Sequence, residues 1–428
     1  MKSEKIVARL PKGTRDFNSV EVKQRKYISN IIESVFMQYG FEPLQTPTFE
    51  YTDVLMGKYE ENNKLIYSIS NNQEDDPECG KNFGFGTKSL KYDLTVPLAR
   101  YISMNRNIKF PFKRYQIQNV FRGDRPQKGR YREFTQCDVD IVGSKSLYNE
   151  LDLMSIYAEV FAKLGLNYTI KINNRKILSE ISDMFGLDFD QFISVLDKST
   201  RIVDADNAEL EKLLKAKTLD DVAGILGETE GVKELRWVLD RLKVPNRYPN
   251  SNINFEFDVL LARGLDYYTG TIFEVVSNDS SMKSSIGGGG RYDNLTEMFG
   301  VKGITGVGIS FGLDRIYDVM SELKKLPTFK QKTTKILFCV VGEESLDWAY
   351  ENMKEVRGLI PCEMWSDPCR VKKQLDYANE LGIPYVVIVG ESEVRDKTLT
   401  LKDMSTGTQE VLTSQQLLMK FHLEKFCR

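Results

Sequence analysis

The segment FRGDRPQKGRYREFTQCDVD, from Phe121 to Asp140, contains the residues with the clearest chemical potential. It places five basic side chains around two glycines: Arg122, Arg125, Lys128, Arg130 and Arg132. Arginine presents a planar fork of donors that matches phosphate oxygens two at a time, whereas a solvated face more often mixes lysine with glutamate. The segment therefore favours binding of a polyphosphate beside a small charged ligand. An ordinary basic surface loop is the alternative.

Histidine chemistry is nearly excluded, because His422 is the only histidine in the chain. A Ser-His-Asp triad could use only His422, which lies near one end of the chain, and an HExxH zinc site needs two histidines. We also find no GxxxxGK[ST] phosphate loop, so a bound nucleotide would have to be held by arginine side chains. Arginine and carboxylate groups are the expected catalytic groups.

Composition predicts a soluble chain of two or three domains, with 428 residues, 41% hydrophobic and 28% charged. The N-terminus has no apolar signal region and no apolar run is long enough to span a bilayer, which predicts a cytoplasmic protein. Six scattered cysteines without a CxxC pair predict reduced thiols and no zinc site.

The net charge of −2 conceals a basic region from Arg100 to Arg132, with ten basic residues and one acidic residue. Such a region can attract nucleotide or RNA phosphates.

Hydrophobic spacing predicts the elements that position these residues. Residues Gln24 to Tyr39 have helical periodicity and stop at Gly40. Apolar or alternating runs between turn residues predict an antiparallel sheet. Its expected strands are Phe112 to Phe121, Tyr131 to Val142, Asn254 to Leu261, Thr271 to Val276 and Thr305 to Ser310.

A change in character after Arg175 predicts a helical insertion, leucine-rich and charged, over about residues 175–250. The polar, proline-containing segment Lys324 to Thr334 predicts a linker, which we place at residues 327–334. From Ile336 a β-α-β-α-β rhythm predicts a parallel α/β domain over residues 335–428. Its elements are Ile336 to Val341, Leu346 to Arg357, Cys362 to Trp365, Arg370 to Leu381 and Tyr385 to Val389, with short strands at Thr398 to Leu401 and Gln409 to Leu412.

Five motifs together resemble one enzyme family. FRGDRPQKGRYREF is similar to motif 2 of the class II aminoacyl-tRNA synthetases, and GVGISFGLDR, from Gly306 to Arg315, to their motif 3. RGLDYYTGTIFE and GGGGRYD resemble signatures of the histidyl-tRNA synthetases, as does PKGTRDF near the start. This resemblance implies an α+β fold, with a class II antiparallel-sheet catalytic domain over residues 1–326, a helical insertion, and a C-terminal α/β anticodon-binding-like domain.

The resemblance also implies the roles of individual residues. Arg122 would hold the α-phosphate and the carboxylate, and Arg263 would be the catalytic arginine. Asp124, Arg130, Phe134 and Arg315 would complete the ATP site, with the γ-phosphate on Arg130 and adenine between Phe134 and Arg315. Histidine would contact Arg122 and Arg263 together with Asp93, Thr95, Gln136, Asp140, Tyr267, Tyr268 and Tyr292.

These expectations lead to one function with two alternatives. The family's members activate L-histidine with ATP, bound with Mg²⁺ and without a protein-only metal site, and transfer it to tRNA(His) as homodimers. A non-catalytic histidine-sensing paralogue is one alternative. A sister ligase for threonine, proline or glycine is the other, and it would lack RGLDYYTG. From the residues alone, Phe134 could be a core side chain, the Gly287 to Gly290 run a flexible loop, and the cluster Arg370, Lys372 and Lys373 a solvated helix face.

Overall fold

The computed structural model describes residues 6–56, 65–69, 88–198, 207–242, 253–262, 267–282, 284–367 and 369–426. The chain divides into two compact units. One comprises Met1–Asp16 and Gln24–Leu326, and the other Phe17–Lys23 and Pro327–Arg428. Within the described ranges, no helix is both long and apolar enough to cross a bilayer.

The larger unit is built on an eight-stranded sheet with the order β1-β5-β6-β11-β10-β9-β7-β8. Its strands are β1 (Glu42–Pro43), β5 (Phe112–Phe121), β6 (Glu133–Val142), β7 (Tyr168–Asn174), β8 (Ile253–Phe257), β9 (Thr271–Ser277), β10 (Gly287–Arg291) and β11 (Gly306–Gly312). The terminal pairs β1–β5 and β7–β8 are parallel, and the five pairs between them are antiparallel. A small sheet has the order β2-β4-β3, from β2 (Phe49–Tyr51), β3 (Tyr67–Ile69) and β4 (Lys88–Leu90).

The helices before and around this sheet are α1 (Ser19–Gln38), α2 (Thr52–Met56), α3 (Thr95–Met104), α4 (Tyr148–Leu164) and α10 (Leu313–Glu322). Helix α1 begins earlier than predicted, because Asn18 caps it: the Asn18 side chain accepts hydrogen bonds from the backbone N–H groups of Val20 and Glu21. The predicted stop is correct. Gly40 has φ +76°, a conformation that favours glycine.

Strand alternation gives the large sheet one polar and one apolar face. Side chains on a strand point to opposite faces at every second position. On β5 and β6 the apolar positions are Tyr115, Ile117, Cys137, Val139 and Ile141, and the polar positions between them are Arg114, Gln116, Gln118, Gln136, Asp138 and Asp140. The register aligns these polar rows, with Arg114 opposite Asp140 and Gln116 opposite Asp138.

Helices α1 and α4 cover the apolar face. The Phe311 ring of β11 packs against Tyr157 and Phe161 of α4, with ring centroids 4.7 and 5.5 Å away, and against Phe36 of α1 at 5.8 Å. All four side chains are almost completely buried. Burial of such large rings against one face supplies much of the hydrophobic stabilisation of the unit. The opposite face is left for polar chemistry.

The glycine run is a strand, and the alternative of a flexible loop is wrong. Strand β10 pairs with β9 on one side and β11 on the other. None of Gly287 to Gly290 has positive φ, so backbone freedom does not explain them. Lack of space explains them instead. A Cβ on Gly290 would lie 2.7 Å from the Thr271 carbonyl oxygen, and one on Gly287 would lie 3.0 Å from the Tyr157 ring.

The predicted helical insertion is confirmed between β7 and β8. It contains α5 (Arg175–Met184), α6 (Phe189–Lys198), α7 (Ala208–Leu214), α8 (Leu219–Leu226) and α9 (Glu230–Leu242). The predicted strands of the sheet are also present: β5 has the predicted bounds, and the other strands have ends shifted by at most four residues. Sequence analysis missed β7, although its residues YTIKIN alternate between apolar and polar, and it missed β10, whose glycine run has no alternating pattern.

The second unit has a five-stranded sheet with the order β13-β12-β14-β15-β16. Its elements are β12 (Ile336–Val340), α11 (Leu346–Arg357), β13 (Cys362–Met364), α12 (Val371–Glu380), β14 (Tyr385–Val389), α13 (Glu391–Asp396), β15 (Leu399–Asp403), β16 (Gln409–Leu412) and α14 (Ser414–Phe426). The first three strands are parallel, as predicted, and the last two are antiparallel. Sequence analysis missed α13 and α14.

Candidate active site

A cavity of about 560 Å³ opens on the polar face of the large sheet. It brings together every described residue that the sequence predicted for the site: Asp93, Thr95, Arg122, Asp124, Arg130, Phe134, Gln136, Asp140, Tyr267, Tyr268, Tyr292 and Arg315. Arg263 lies outside the described residues. The cavity combines a basic end, formed by the loop between β5 and β6, with an acidic end formed by the polar strand rows.

Arg122 is the first residue after β5 and is held at both ends. Its Nε donates to the Tyr92 carbonyl oxygen at 3.0 Å, and its backbone N–H donates to the Arg132 carbonyl oxygen at 2.9 Å. The guanidinium carbon lies 5.1 Å from the centroid of the Phe134 ring, a cation–π distance. Phe134 therefore lies on the polar face and lines the cavity; the alternative that it belongs to the core is wrong.

Asp124 binds two other arginines of this loop, Arg130 and Arg132. Its carboxylate accepts a hydrogen bond from Arg130 at 2.9 Å, and its backbone carbonyl accepts one from Arg132 Nε at 3.1 Å. The Arg130 side chain remains 47% exposed. An exposed, loosely held guanidinium can turn from a carboxylate to an incoming phosphate at small cost, because exposed ion pairs contribute little stability.

Arg315 reaches the same loop from helix α10. Its Nε donates to the Gly129 carbonyl oxygen and its Nη1 to the Ser285 carbonyl oxygen, both at 2.7 Å. Two fixed acceptors orient the guanidinium plane against the cavity wall. A fixed guanidinium plane can stack on a flat aromatic ligand.

The N-terminal motif PKGTRDF has a structural role in this arrangement. Arg15 contacts Asp314, the residue before Arg315, and its guanidinium carbon lies 3.4 Å from the Tyr131 ring centroid. Arg25 also pairs with the Asp314 carboxylate, at 2.6 Å. The motif thus ties helix α10 to the arginine loop, and Asp314 is buried between two arginines.

The acidic end is organised around Asp140. Its Oδ2 lies 2.8 Å from Arg114 Nη2, and its Oδ1 accepts a hydrogen bond from the Tyr292 hydroxyl at 2.5 Å. Burial raises the pKa of Asp140, and Arg114 acts in the opposite direction. Gly308 makes room for this carboxylate, since a Cβ at that position would overlap it.

Asp93 lies just before helix α3 and is 2% exposed. It accepts hydrogen bonds from the Val96 backbone N–H and the Tyr267 hydroxyl, each at 3.2 Å. Burial raises the pKa of Asp93 to about 6, while hydrogen bonding by Val96 lowers it. The Tyr267 ring packs edge to face against the rings of Tyr268 and Tyr292, with centroid distances of 4.9 and 6.0 Å.

Sequence analysis missed two residues of the acidic end, Arg114 and Asp138. Arg114 is fully buried, so it contributes to an internal ion pair and not to the surface charge expected for the basic region. Asp138 lines the cavity between Gln136 and Asp140. The alternation of TQCDVDIV contains the signal for Asp138, because residues at positions i and i+2 on a strand share one face.

The cavity can therefore accommodate a molecule with anionic and N–H-rich parts. Its basic end offers arginine forks for phosphate, and its acidic end offers Asp93, Asp138 and Asp140. Among the described residues, no group of three or more histidine, cysteine, aspartate and glutamate side chains is arranged to hold a metal ion.

Comparison with known proteins identifies relatives over both units. A family model described as Histidyl-tRNA synthetase matches residues 13–316, and one described as Anticodon binding domain matches residues 335–422. A histidine–tRNA ligase of Christiangramia forsetii is 43% identical, covering 94% of this chain and 96% of that protein. One of Bacteroides fragilis is 42% identical, covering 96% and 98%. The crystal structure of histidyl-tRNA synthetase from Nostoc sp. PCC 7120 superposes with a TM-score of 0.72 at 28% identity, over 98% of this chain and all of that one.

Proposed function

This chain belongs to the histidyl-tRNA synthetase family, and we propose from that premise that it is a histidine–tRNA ligase. ATP and L-histidine react to give histidyl-adenylate and pyrophosphate, and the histidyl group then passes to the 3′ end of tRNA(His). The observation that carries this proposal is the joining, in one cavity, of an arginine loop and a row of buried carboxylates. The arginine loop suits the phosphates of ATP, and the buried carboxylates suit the ammonium and imidazole groups of histidine.

The adenylation step brings two anions together, because the histidine carboxylate attacks the α-phosphorus of ATP. Arg122 and Arg263 supply the positive charge that the transition state requires. The two hydrogen bonds on Arg122 support this role, since a charge held in place costs no reorganisation during the reaction. The assignment of Arg263 rests on its RGLDYYTG motif alone.

The remainder of ATP extends along the basic end. Adenine stacks between Phe134 and the Arg315 guanidinium, whose orientation is fixed by the Gly129 and Ser285 carbonyl groups. Arg130 turns from Asp124 to the γ-phosphate. ATP enters as its Mg²⁺ complex, so the metal belongs to the substrate and partly neutralises the phosphates.

Histidine occupies the acidic end. Asp93 and Thr95 face the ammonium group, with the Tyr267 hydroxyl already bonded to Asp93. Asp140 accepts from an imidazole N–H, and Arg114 keeps this carboxylate charged. Gln136, Tyr268 and Tyr292 complete the pocket wall.

The second unit is proposed to read the tRNA anticodon, on the basis of the family match over residues 335–422. Homodimerisation is proposed from the family. Large apolar side chains left exposed on α1, β2 and the segment around α3 are compatible with it, namely Met37, Phe49, Tyr51, Met104 and Phe110. A cytoplasmic location follows from the requirement for tRNA and ATP.

Amino-acid-dependent pyrophosphate exchange tests the proposed function. Purified protein is assayed with each of the twenty amino acids, and then for charging of tRNA(His). We expect exchange with histidine alone, together with charging. Exchange with threonine, proline or glycine would instead identify a sister ligase. Binding of histidine without any exchange would identify a non-catalytic histidine sensor.

A further inference from the structure

Asp138 lies at the centre of the acidic end of the cavity. It is 3% exposed, lines the cavity, and faces Ser310 of β11 on one side and Gln116 of β5 on the other. Asp140 is two residues after Asp138 on β6, so the two side chains point to the same face of the sheet. Residues at this spacing on a strand have Cα atoms about 7 Å apart. A flat five-membered ring can therefore contact both carboxyl groups at once.

The two carboxyl groups have different surroundings. Asp140 has the Arg114 guanidinium at 2.8 Å and a tyrosine hydroxyl at 2.5 Å, both of which favour the charged form. Within the described part of the chain, Asp138 has neutral hydrogen-bonding neighbours, the Gln136 amide at 3.4 Å and the Ser310 hydroxyl. Two buried carboxylates on one face repel each other, so Asp138, which lacks the direct Arg114 contact that Asp140 has, holds a proton more readily.

The charged and titratable groups around Asp138 also favour its protonated form. Charged or titratable side chains near it are Arg114, Lys91, Asp93, Asp140, Cys137, Tyr157 and Tyr268. Burial raises the pKa of Asp138 to about 7; Arg114 lowers it and Asp140 raises it. At neutral pH about half of the molecules thus carry a carboxylic acid at Asp138 beside the Asp140 carboxylate.

A neutral imidazole needs both of these partners. One ring nitrogen carries a hydrogen and donates, and the other accepts. An ionised carboxylate satisfies the donor, while a carboxylic acid O–H satisfies the acceptor. We propose that Asp138 is a specificity-determining residue that donates its proton in a hydrogen bond to the unprotonated ring nitrogen of histidine, while Asp140 accepts from the other.

This inference rests on the proposed function and adds the protonation state of the site to it. The proton of this hydrogen bond is shared between the Asp138 carboxyl oxygen and the imidazole nitrogen. Its position changes neither the number of protons bound nor the need for any other reactant. Above the pH at which the empty pocket loses this proton, histidine binding must take one up from solvent. The wild-type protein should therefore absorb nearly one proton per site on binding histidine at pH 8, and its histidine KM should rise roughly tenfold between pH 7 and 8.5.

Titration calorimetry of the whole protein with L-histidine, in two buffers of different ionisation enthalpy at pH 8, measures this proton directly. Asp138→Asn replaces the acid O–H with a permanent amide N–H of similar size. We expect the variant to bind histidine with less than about 0.2 protons absorbed, and its KM to change less than threefold from pH 7 to 8.5. Asp152→Asn, a surface carboxyl that is half exposed, is the matched control and should behave as wild type.

Two results would overturn the proposal: no proton uptake by the wild-type protein at pH 8, or equal uptake by Asp138→Asn. The first needs no variant and so remains decisive if the substitution prevents folding. Failure of the proposed function is distinct, since it would appear as absence of histidine-dependent pyrophosphate exchange at every pH.

Discussion

Arg114 and Asp140 form a buried ion pair across strands β5 and β6, with Nη2 and Oδ2 2.8 Å apart and side chains 0% and 3% exposed. The same guanidinium group donates to the Leu94 carbonyl oxygen and to Gln116 Oε1. Such a pair is costly to break, because the remaining charge is left in a low-dielectric interior. It also links the stability of the sheet to the charge of the histidine pocket.

Replacing Arg114 with methionine should lower the free energy of unfolding by about 3–5 kcal/mol, with a larger loss at pH 8 than at pH 5. Arg114 lowers the pKa of Asp140, so its removal raises that pKa further and penalises the ionised form that dominates at high pH. Urea denaturation at both pH values measures the effect. Lys113→Met is the control, since its pair with Asp152 is partly exposed and should contribute less than about 1 kcal/mol. Equal losses in the two variants would contradict the burial argument.

Asp93→Asn should stabilise the folded protein while weakening histidine binding. A carboxyl group whose folded pKa lies above its unfolded value destabilises the folded state as pH rises from about 4 to 6. The amide removes this penalty, so the gain in unfolding free energy should be about 1 kcal/mol larger at pH 8 than at pH 5. Histidine KM should rise tenfold or more, because the ammonium loses its counter-charge. Thermal denaturation and pyrophosphate exchange on one preparation test both parts, and a variant that is less stable at pH 8 would refute the first.

Arg122→Ala should reduce the rate of adenylate formation about 100-fold, or about 3 kcal/mol, because the anchored guanidinium stabilises charge in the transition state. Arg125→Ala is the control: it belongs to the same loop but is exposed and does not line the cavity. Single-turnover adenylation with saturating ATP measures the chemical step. Similar rates for the two variants would show that the position of Arg122 in the cavity has no catalytic importance.

Arg263→Ala should likewise lower adenylation about 100-fold, with a smaller change in apparent ATP affinity. This pattern is expected when a charge acts on the pentacovalent phosphorus more strongly than on the ground state. Measured rates within about threefold of wild type would remove Arg263 from the catalytic group.

The exposed basic cluster Arg370, Lys372 and Lys373, at the start of α12, should contribute to tRNA binding. Its replacement by three alanines should weaken tRNA binding and flatten the salt dependence, since fewer counterions are released. Pyrophosphate exchange should not change. The control is Lys354→Ala on α11, whose side chain pairs with Glu351. Unaltered binding and salt slope would mean that this cluster is only a solvated helix face.

Local patterns in the sequence were sufficient for most strands, the helical insertion and the polar residues of the loop after β5. Alternation on β6 is a property of six consecutive residues, Gln136 to Ile141, and a glycine stop such as Gly40 is a property of one. Arg122, Asp140 and Arg315 were likewise predicted from sequence, since each lies in a contiguous motif that resembles a motif of the family.

Only the tertiary structure decided which residues meet. The sheet order β5-β6-β11-β10 brings Arg114, Asp140 and Tyr292 together, although Tyr292 follows Asp140 by 152 residues. That order depends on non-local strand pairing, which no short pattern encodes. The glycine run shows the same limit: its residues are explained by neighbouring strands that leave no space for a side chain, not by the backbone freedom that glycine permits. Sequence therefore determined the chemistry available to this protein, while strand order and register placed Asp138 between Gln116 and Ser310 and Asp140 between Arg114 and Gly308.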